Sequence, residues 1–192
     1  MTNGKHQILN TQTTHAGWTK LLVAKIRLPD GYTITREIED HGEAACVLPY
    51  NPLRKTAVLV RQFRAPVFFA ADEQDSLEVI AGILEETDAA ECARREAIEE
   101  AGLKLDSLEH IFTGWSMPGL STERMHFYLA IYSDKFQAEV GGLANEHEKI
   151  IPVEIGLSEL AKMVDRNQLG DVKTLLLLQT MRLRKPDLFA FP

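Results

Sequence analysis

Positive charge is in short supply in this chain: 21 lysines and arginines stand against 28 aspartates and glutamates, a formal net charge of −7. Proteins that grip nucleic-acid backbones need a basic surface to displace counterions, so a nucleic-acid partner is not expected. Cysteine is scarce too. Cys46 and Cys92 are the two present, both in apolar surroundings, and they read as small core residues in a reducing compartment. No long apolar run exists: the longest, such as Leu175–Leu178, fall far short of the roughly 20 residues that span a bilayer. Met1-Thr2-Asn3-Gly4-Lys5 opens no apolar leader. A cytoplasmic protein with no membrane partner is expected. Internal repeats and low-complexity tracts are lacking as well.

What is present suits a globular domain: 192 residues, 45% hydrophobic and 26% charged. Thr19–Leu28 and Tyr32–Ile38 flank Asp30-Gly31 and predict a β-hairpin. Ala44–Leu48 and Thr56–Arg61 predict a second strand pair around the turn Tyr50-Asn51-Pro52. Further strands are expected at Ser76–Ile80, Leu108–Thr113, Met125–Tyr132 and Lys149–Ile155, with Pro152 pointing to an edge or a bulge. The strongest helix is Ala89–Ala101, with Asp88 and Glu91 forming a capping-box pattern and Gly102 closing its end. Ser158–Arg166 and Val172–Arg184 predict two later helices, the second packing through Leu175, Leu178 and Met181. Strands, a helix, strands, then helices argue α+β with a mixed sheet between helices.

The chemistry concentrates in the Ala89–Ala101 helix. Glu96, Glu99 and Glu100 stand at i, i+3 and i+4 and share one side, while Ala93, Ala97 and Ile98 are expected to supply the buried side. Three carboxylates near a helix C-terminus repel one another and oppose the macrodipole. Arg95 reaches Glu99 at i+4, but one arginine does not neutralise three acids; a divalent cation with hard oxygen ligands, Mg²⁺ or Mn²⁺, would. An acidic pair alone is usually a solvated helix face. Here the acids come with a glycine at a strand-to-helix turn, a capped start and a closing glycine.

That segment, Gly82 through Asp88, Arg95-Glu96-Ala97, Glu99-Glu100, Gly102 and Leu103, resembles the Nudix box. Two departures stand out: Asp88 occupies a position usually held by glutamate, and the spacer Ala89–Arg94 is one residue short. The resemblance runs from about Thr19 to about Leu183. Arg61-Gln62-Phe63-Arg64, Glu78-Val79-Ile80-Ala81-Gly82, Met117-Pro118-Gly119 and Asn145-Glu146-His147-Glu148 are similar to the ADP-ribose and nucleotide-sugar pyrophosphatase branch. Asp171–Leu178 and the short spacer are similar to its GDP-mannose pyrophosphatase subgroup.

The resemblance implies an α/β/α sandwich around a mixed sheet, an N-terminal β-hairpin arm over 1–41 that dimerises, and a hydrolase domain over 42–192. It implies metal ligation by Glu96, Glu100, Glu148 and the Ala81 carbonyl. Glu146 is expected as general base, with Glu99 and Arg95 beside it in the catalytic set. Substrate contacts are expected from Arg61, Arg64, Glu78, Gly82 and Gly119, and from Arg36 reaching a partner subunit of a homodimer. The implied reaction is Mg²⁺-dependent hydrolysis of the pyrophosphate bond of a nucleoside diphosphate sugar, of ADP-ribose or GDP-mannose type. A dinucleoside polyphosphate hydrolase and a non-hydrolysing ADP-ribose-binding module are the alternatives. His126, inside an apolar strand, reads as structural. The aromatic run Val67-Phe68-Phe69 is expected in the core or at an interface.

Overall fold

The computed structural model describes residues 4–85, 88–133 and 149–190. They form two compact units, one of residues 1–43 with 113–125, the other of residues 44–112 with 126–192.

The first unit is built on a three-stranded antiparallel sheet: β1 (Gln7–Ala16), β2 (Lys20–Arg27) and β3 (Thr33–Asp40) in that order. The β2–β3 hairpin turns as the Asp-Gly signal predicts, with Gly31 at φ 91° and its amide bonded to the Leu28 carbonyl at 3.0 Å. β1 is an addition that hydrophobic patterning misses, because its ten residues are polar-rich and all exposed. In the same unit the 116–123 stretch lies along β3. Glu39 and Ser121 form a parallel bridge, and the Glu39 and Thr122 amides bond to the Leu120 and Glu39 carbonyls.

Most of a seven-stranded mixed sheet lies in the second unit. Its order is β10 (Ile151–Gly156), β5 (Thr56–Gln62), β4 (Glu43–Asn51), β9 (Arg124–Ile131), β8 (Ser107–Trp115). Pro152 lies in the edge strand β10, where its missing amide costs least. The expected single strand at Ser76–Ile80 is two: β6 (Ser76–Glu78) pairs with β5, and β7 (Ile80–Ile83) pairs with β4. The chain changes partner at Val79.

Side chains alternate across the sheet. Ala45, Val47, Val58 and Val60 face α2 (Ala89–Ala101) in one cluster with Cys92, Ala93, Ala97, Tyr128 and Tyr132. Cys46, Leu48, Ala57 and Leu59, equally buried, point to the opposite face. α3 (Leu157–Asp165) and α4 (Val172–Arg184), whose buried leucines and Met181 lie outside the α2 cluster, cover that face. The result is the expected α/β/α arrangement. Both cysteines are buried, and neither is in a disulfide.

Two packing expectations are corrected, and a third loses one of its two alternatives. Ile98 is exposed, and Cys92 takes its place against the sheet. In α4 the buried stripe is Thr174, Leu177, Leu178 and Met181, while Leu175 turns outward. The aromatic run folds as a short helix, α1 (Ala65–Ala71), begun by Pro66 and without a buried residue; Phe69 is 93% exposed and so is outside the core. Among the described residues, no helix is long and apolar enough to cross a membrane.

Candidate active site

α2 places the chemistry, and its local sequence explains why it forms. The Asp88 carboxylate caps the start by accepting from the Ala90 amide at 2.8 Å. At the other end Gly102 adopts φ 63°; its amide bonds to the Ile98 carbonyl and the Leu103 amide to the Ala97 carbonyl, a Schellman closure. The buried positions between are Ala89, Cys92, Ala93, Glu96, Ala97, Glu100 and Ala101. That is one continuous 3.6-residue stripe, and two of its positions hold glutamates. Small residues elsewhere on the stripe bring the helix close to β7, which faces it.

The three acids of the sequence motif therefore part company. Glu99 points outward, paired with Arg95 Nη1 at 2.9 Å. Glu96 is buried against Gly82: a side chain at position 82 would run into its carboxylate. Arg95 Nη1 lies 2.8 Å from Glu96 as well, and Arg95 Nη2 donates to the Ile83 carbonyl at 3.3 Å. One guanidinium thus braces two acids against the end of β7. Glu100 receives no such help. It is buried, and its Oε2 has no hydrogen-bond partner among the described residues. Burial, then the neighbouring Glu96 charge, pushes its pKa up to about 8, against the opposing pull of an Ala81 backbone hydrogen bond and the Arg64 charge.

A buried carboxylate oxygen without a donor, next to a second buried carboxylate, fits a hard divalent cation. Mg²⁺ needs only one or two protein carboxylates when water and substrate phosphates complete its shell. Among the described residues, no three Asp, Glu, His or Cys side chains converge into a full ligand set. Glu146 and Glu148 lie outside the described residues.

The sequence of residues 40–175 matches the family model of the NUDIX domain. The chain belongs to the Nudix hydrolase family. Similar relatives are the GDP-mannose pyrophosphatases of Pectobacterium atrosepticum, 39% identical over 145 residues, 75% of either chain, and of Cronobacter sakazakii, 39% identical over 150 residues, 78% of either chain. That of Escherichia coli O157:H7 is 38% identical over 149 residues, 77% of this chain and 78% of its own. In fold, this Nudix chain resembles the crystal structure of an ADP compounds hydrolase, with a TM-score of 0.74 over 95% of this chain and 96% of the other at 18% identity.

The remaining expected residues of the Nudix site fall into three groups. Arg64 and Glu78 meet in a two-pronged ion pair, Nε to Oε1 at 2.9 Å and Nη2 to Oε2 at 3.0 Å. Burial alone would raise the Glu78 carboxyl; the Arg64 hydrogen bond and the Lys173 and Arg64 charges outweigh it and hold the group ionised. Arg61 instead pairs with Asp75 at 2.9 Å, both well exposed. Arg36 and Gly119 belong to the other unit, where they line a cleft of about 480 Å³ with Trp115, Pro118 and Leu120.

Lys173 is a residue that motif reasoning passed over. Its ammonium lies 3.4 Å from Glu78 and 2.6 Å from Asp171. A cation in the first turn of a helix opposes the macrodipole, and that misfit with local preference is the signal that singles it out.

Proposed function

We propose that this Nudix hydrolase cleaves the pyrophosphate bond of a nucleoside diphosphate sugar, GDP-mannose type first and ADP-ribose type second, with Mg²⁺ or Mn²⁺ held at Glu96 and Glu100. The observation that carries the reading is the buried Glu100 with its unpartnered oxygen beside Glu96. The substrate class is supported by relatives named GDP-mannose pyrophosphatase that align over three quarters of their length.

A bound divalent ion would supply charge neutralisation at the diphosphate and lower the pKa of water. The chain's own groups do the rest. Glu96 and Glu100 hold the cation, and Arg95 keeps Glu96 and Glu99 from repelling one another. Arg64, whose charge reaches Glu100, offers a guanidinium suited to phosphate oxygens. Glu146 and Glu148, outside the described residues, are proposed as general base and further ligand, and the Ala81 carbonyl as another. Water adds to one phosphorus, the bridging P–O bond breaks, and the base takes the proton. GDP-mannose would yield GMP and mannose 1-phosphate; ADP-ribose would yield AMP and ribose 5-phosphate. We further propose that the arm over 1–41 dimerises the enzyme, with Arg36 serving the partner's site.

The test is a panel of GDP-mannose, ADP-ribose, ADP-glucose, a dinucleoside polyphosphate and a nucleoside triphosphate, with Mg²⁺, beside Glu100→Gln. Products are separated by chromatography. Nucleoside monophosphate plus sugar phosphate, lost in the variant, is expected. Preferred cleavage of the dinucleoside polyphosphate would overturn the substrate class. Heat protection by ADP-ribose without turnover would overturn hydrolysis.

A further inference from the structure

Glu96 and Glu100 both lean on β7. A hydrogen bond from the Ala81 backbone reaches Glu100, and the Glu96 carboxylate occupies the space beside Gly82. Where the two carboxylates aim therefore depends on where Ala81 and Gly82 sit. That is decided at the joint between β6 and β7, because β6 follows β5 as far as Glu78 and β7 follows β4 from Ile80. Val79 is the joint, and it is 0% exposed.

A buried amide between two ladders needs a partner from elsewhere. The Val79 amide donates to Thr174 Oγ1 at 2.8 Å. Thr174 lies in the first turn of α4 and is itself 0% exposed. Its hydroxyl proton goes to Asp171 Oδ2 at 2.5 Å, so the oxygen lone pairs are left to accept from Val79. Asp171 is also the cap of α4, taking the Thr174 amide at 3.0 Å. The same turn grips Glu78 through Lys173. The joint is thus held at two consecutive residues by one helix turn that reaches it from about a hundred residues away in sequence.

We infer that Thr174 is a positioning residue for the carboxylate pair: it fixes the β6–β7 joint, and through Ala81 and Gly82 it aims Glu100 and Glu96. The inference rests on reading that pair as a cation site. A threonine that served only as glue between α4 and the sheet would affect stability and leave cation binding alone.

The experiment compares metal-free wild type, Thr174→Val and Thr174→Ser. Mn²⁺ binding is read from the paramagnetic resonance signal of free Mn²⁺, alongside thermal unfolding. The valine keeps the shape and removes the hydroxyl; the serine keeps the hydroxyl. The expected result, well below the unfolding temperature, is Mn²⁺ affinity weakened about tenfold or more in the valine variant and restored in the serine variant. A valine variant that melts earlier yet binds Mn²⁺ like the wild type overturns the inference and leaves the proposed function standing. A wild type that binds no Mn²⁺ removes both. Should the valine variant fail to fold, Asp171→Asn loosens the same hydroxyl without emptying the site, and unchanged binding in that variant overturns the inference equally.

Discussion

Glu100 sets the chain's response to pH in the absence of metal. With its pKa pushed up to about 8 in the fold, from a usual value of 4.5, the folded protein binds a proton that the unfolded chain has released across that window. Stability must then fall as pH rises through it, the reverse of an ordinary ion-paired carboxylate. Calorimetric melting with chelator at either end of the window should show this. Glu100→Gln should flatten the dependence, and Mg²⁺ should raise the melting temperature most at the alkaline end. An unchanged slope in the glutamine variant would locate the effect elsewhere. Gly82 makes the complementary case. A methyl there would collide with Glu96, so Gly82→Ala should lose most hydrolysis and Mn²⁺ binding while retaining its circular dichroism spectrum. An alanine variant with wild-type metal affinity would refute the close approach.

At the scale of elements, α2 shows how separate local signals add up. Its cap, its apolar stripe and its closing glycine all agree in the sequence, and the helix forms over the expected residues Ala89–Ala101. Asp88, which departs from the Nudix box, serves as cap. Asp88→Ala should therefore cost about 1 kcal/mol, a shift of about 2–4 °C for a chain of this size, with turnover unchanged. A large loss of turnover with an unchanged melting temperature would make Asp88 part of the chemistry. The stripe also ranks the three acids: continuing Ala89, Cys92, Ala93, Ala97 and Ala101 at helical spacing selects Glu96 and Glu100 and leaves Glu99 outside. By contrast, α1 and β1 carry little sequence signal. β1 is polar-rich and wholly exposed, and α1 buries nothing, so hydrophobic periodicity had nothing to report at either place.

For the whole molecule, the exposed β1 leaves a ten-residue strand whose outer edge has no partner strand among the described residues. Such an edge invites pairing with another chain. Light scattering on the purified protein should give twice the chain mass, and deletion through Ala16 should shift it toward the monomer. A monomeric full-length chain would overturn the dimer proposed above, and with it the role of Arg36 in a partner's site.

The sequence by itself determined the family, the fold class and the helix that bears the acids. These follow from local propensity and from residue types at fixed short spacing, which survive any arrangement of the rest. It named Arg64 and Glu78 only as separate substrate contacts, because their meeting depends on how β5 and β6 pair across a connection that no short-range rule constrains. Only the tertiary structure decided that Glu100 Oε2 is left without a donor among the described residues, that Val79 divides the expected strand in two, and that Thr174 and Lys173 of a distant helix hold that division. Each is a long-range contact, and the energy of burying an amide or a carboxylate is fixed only when the groups brought to it from far along the chain are in place.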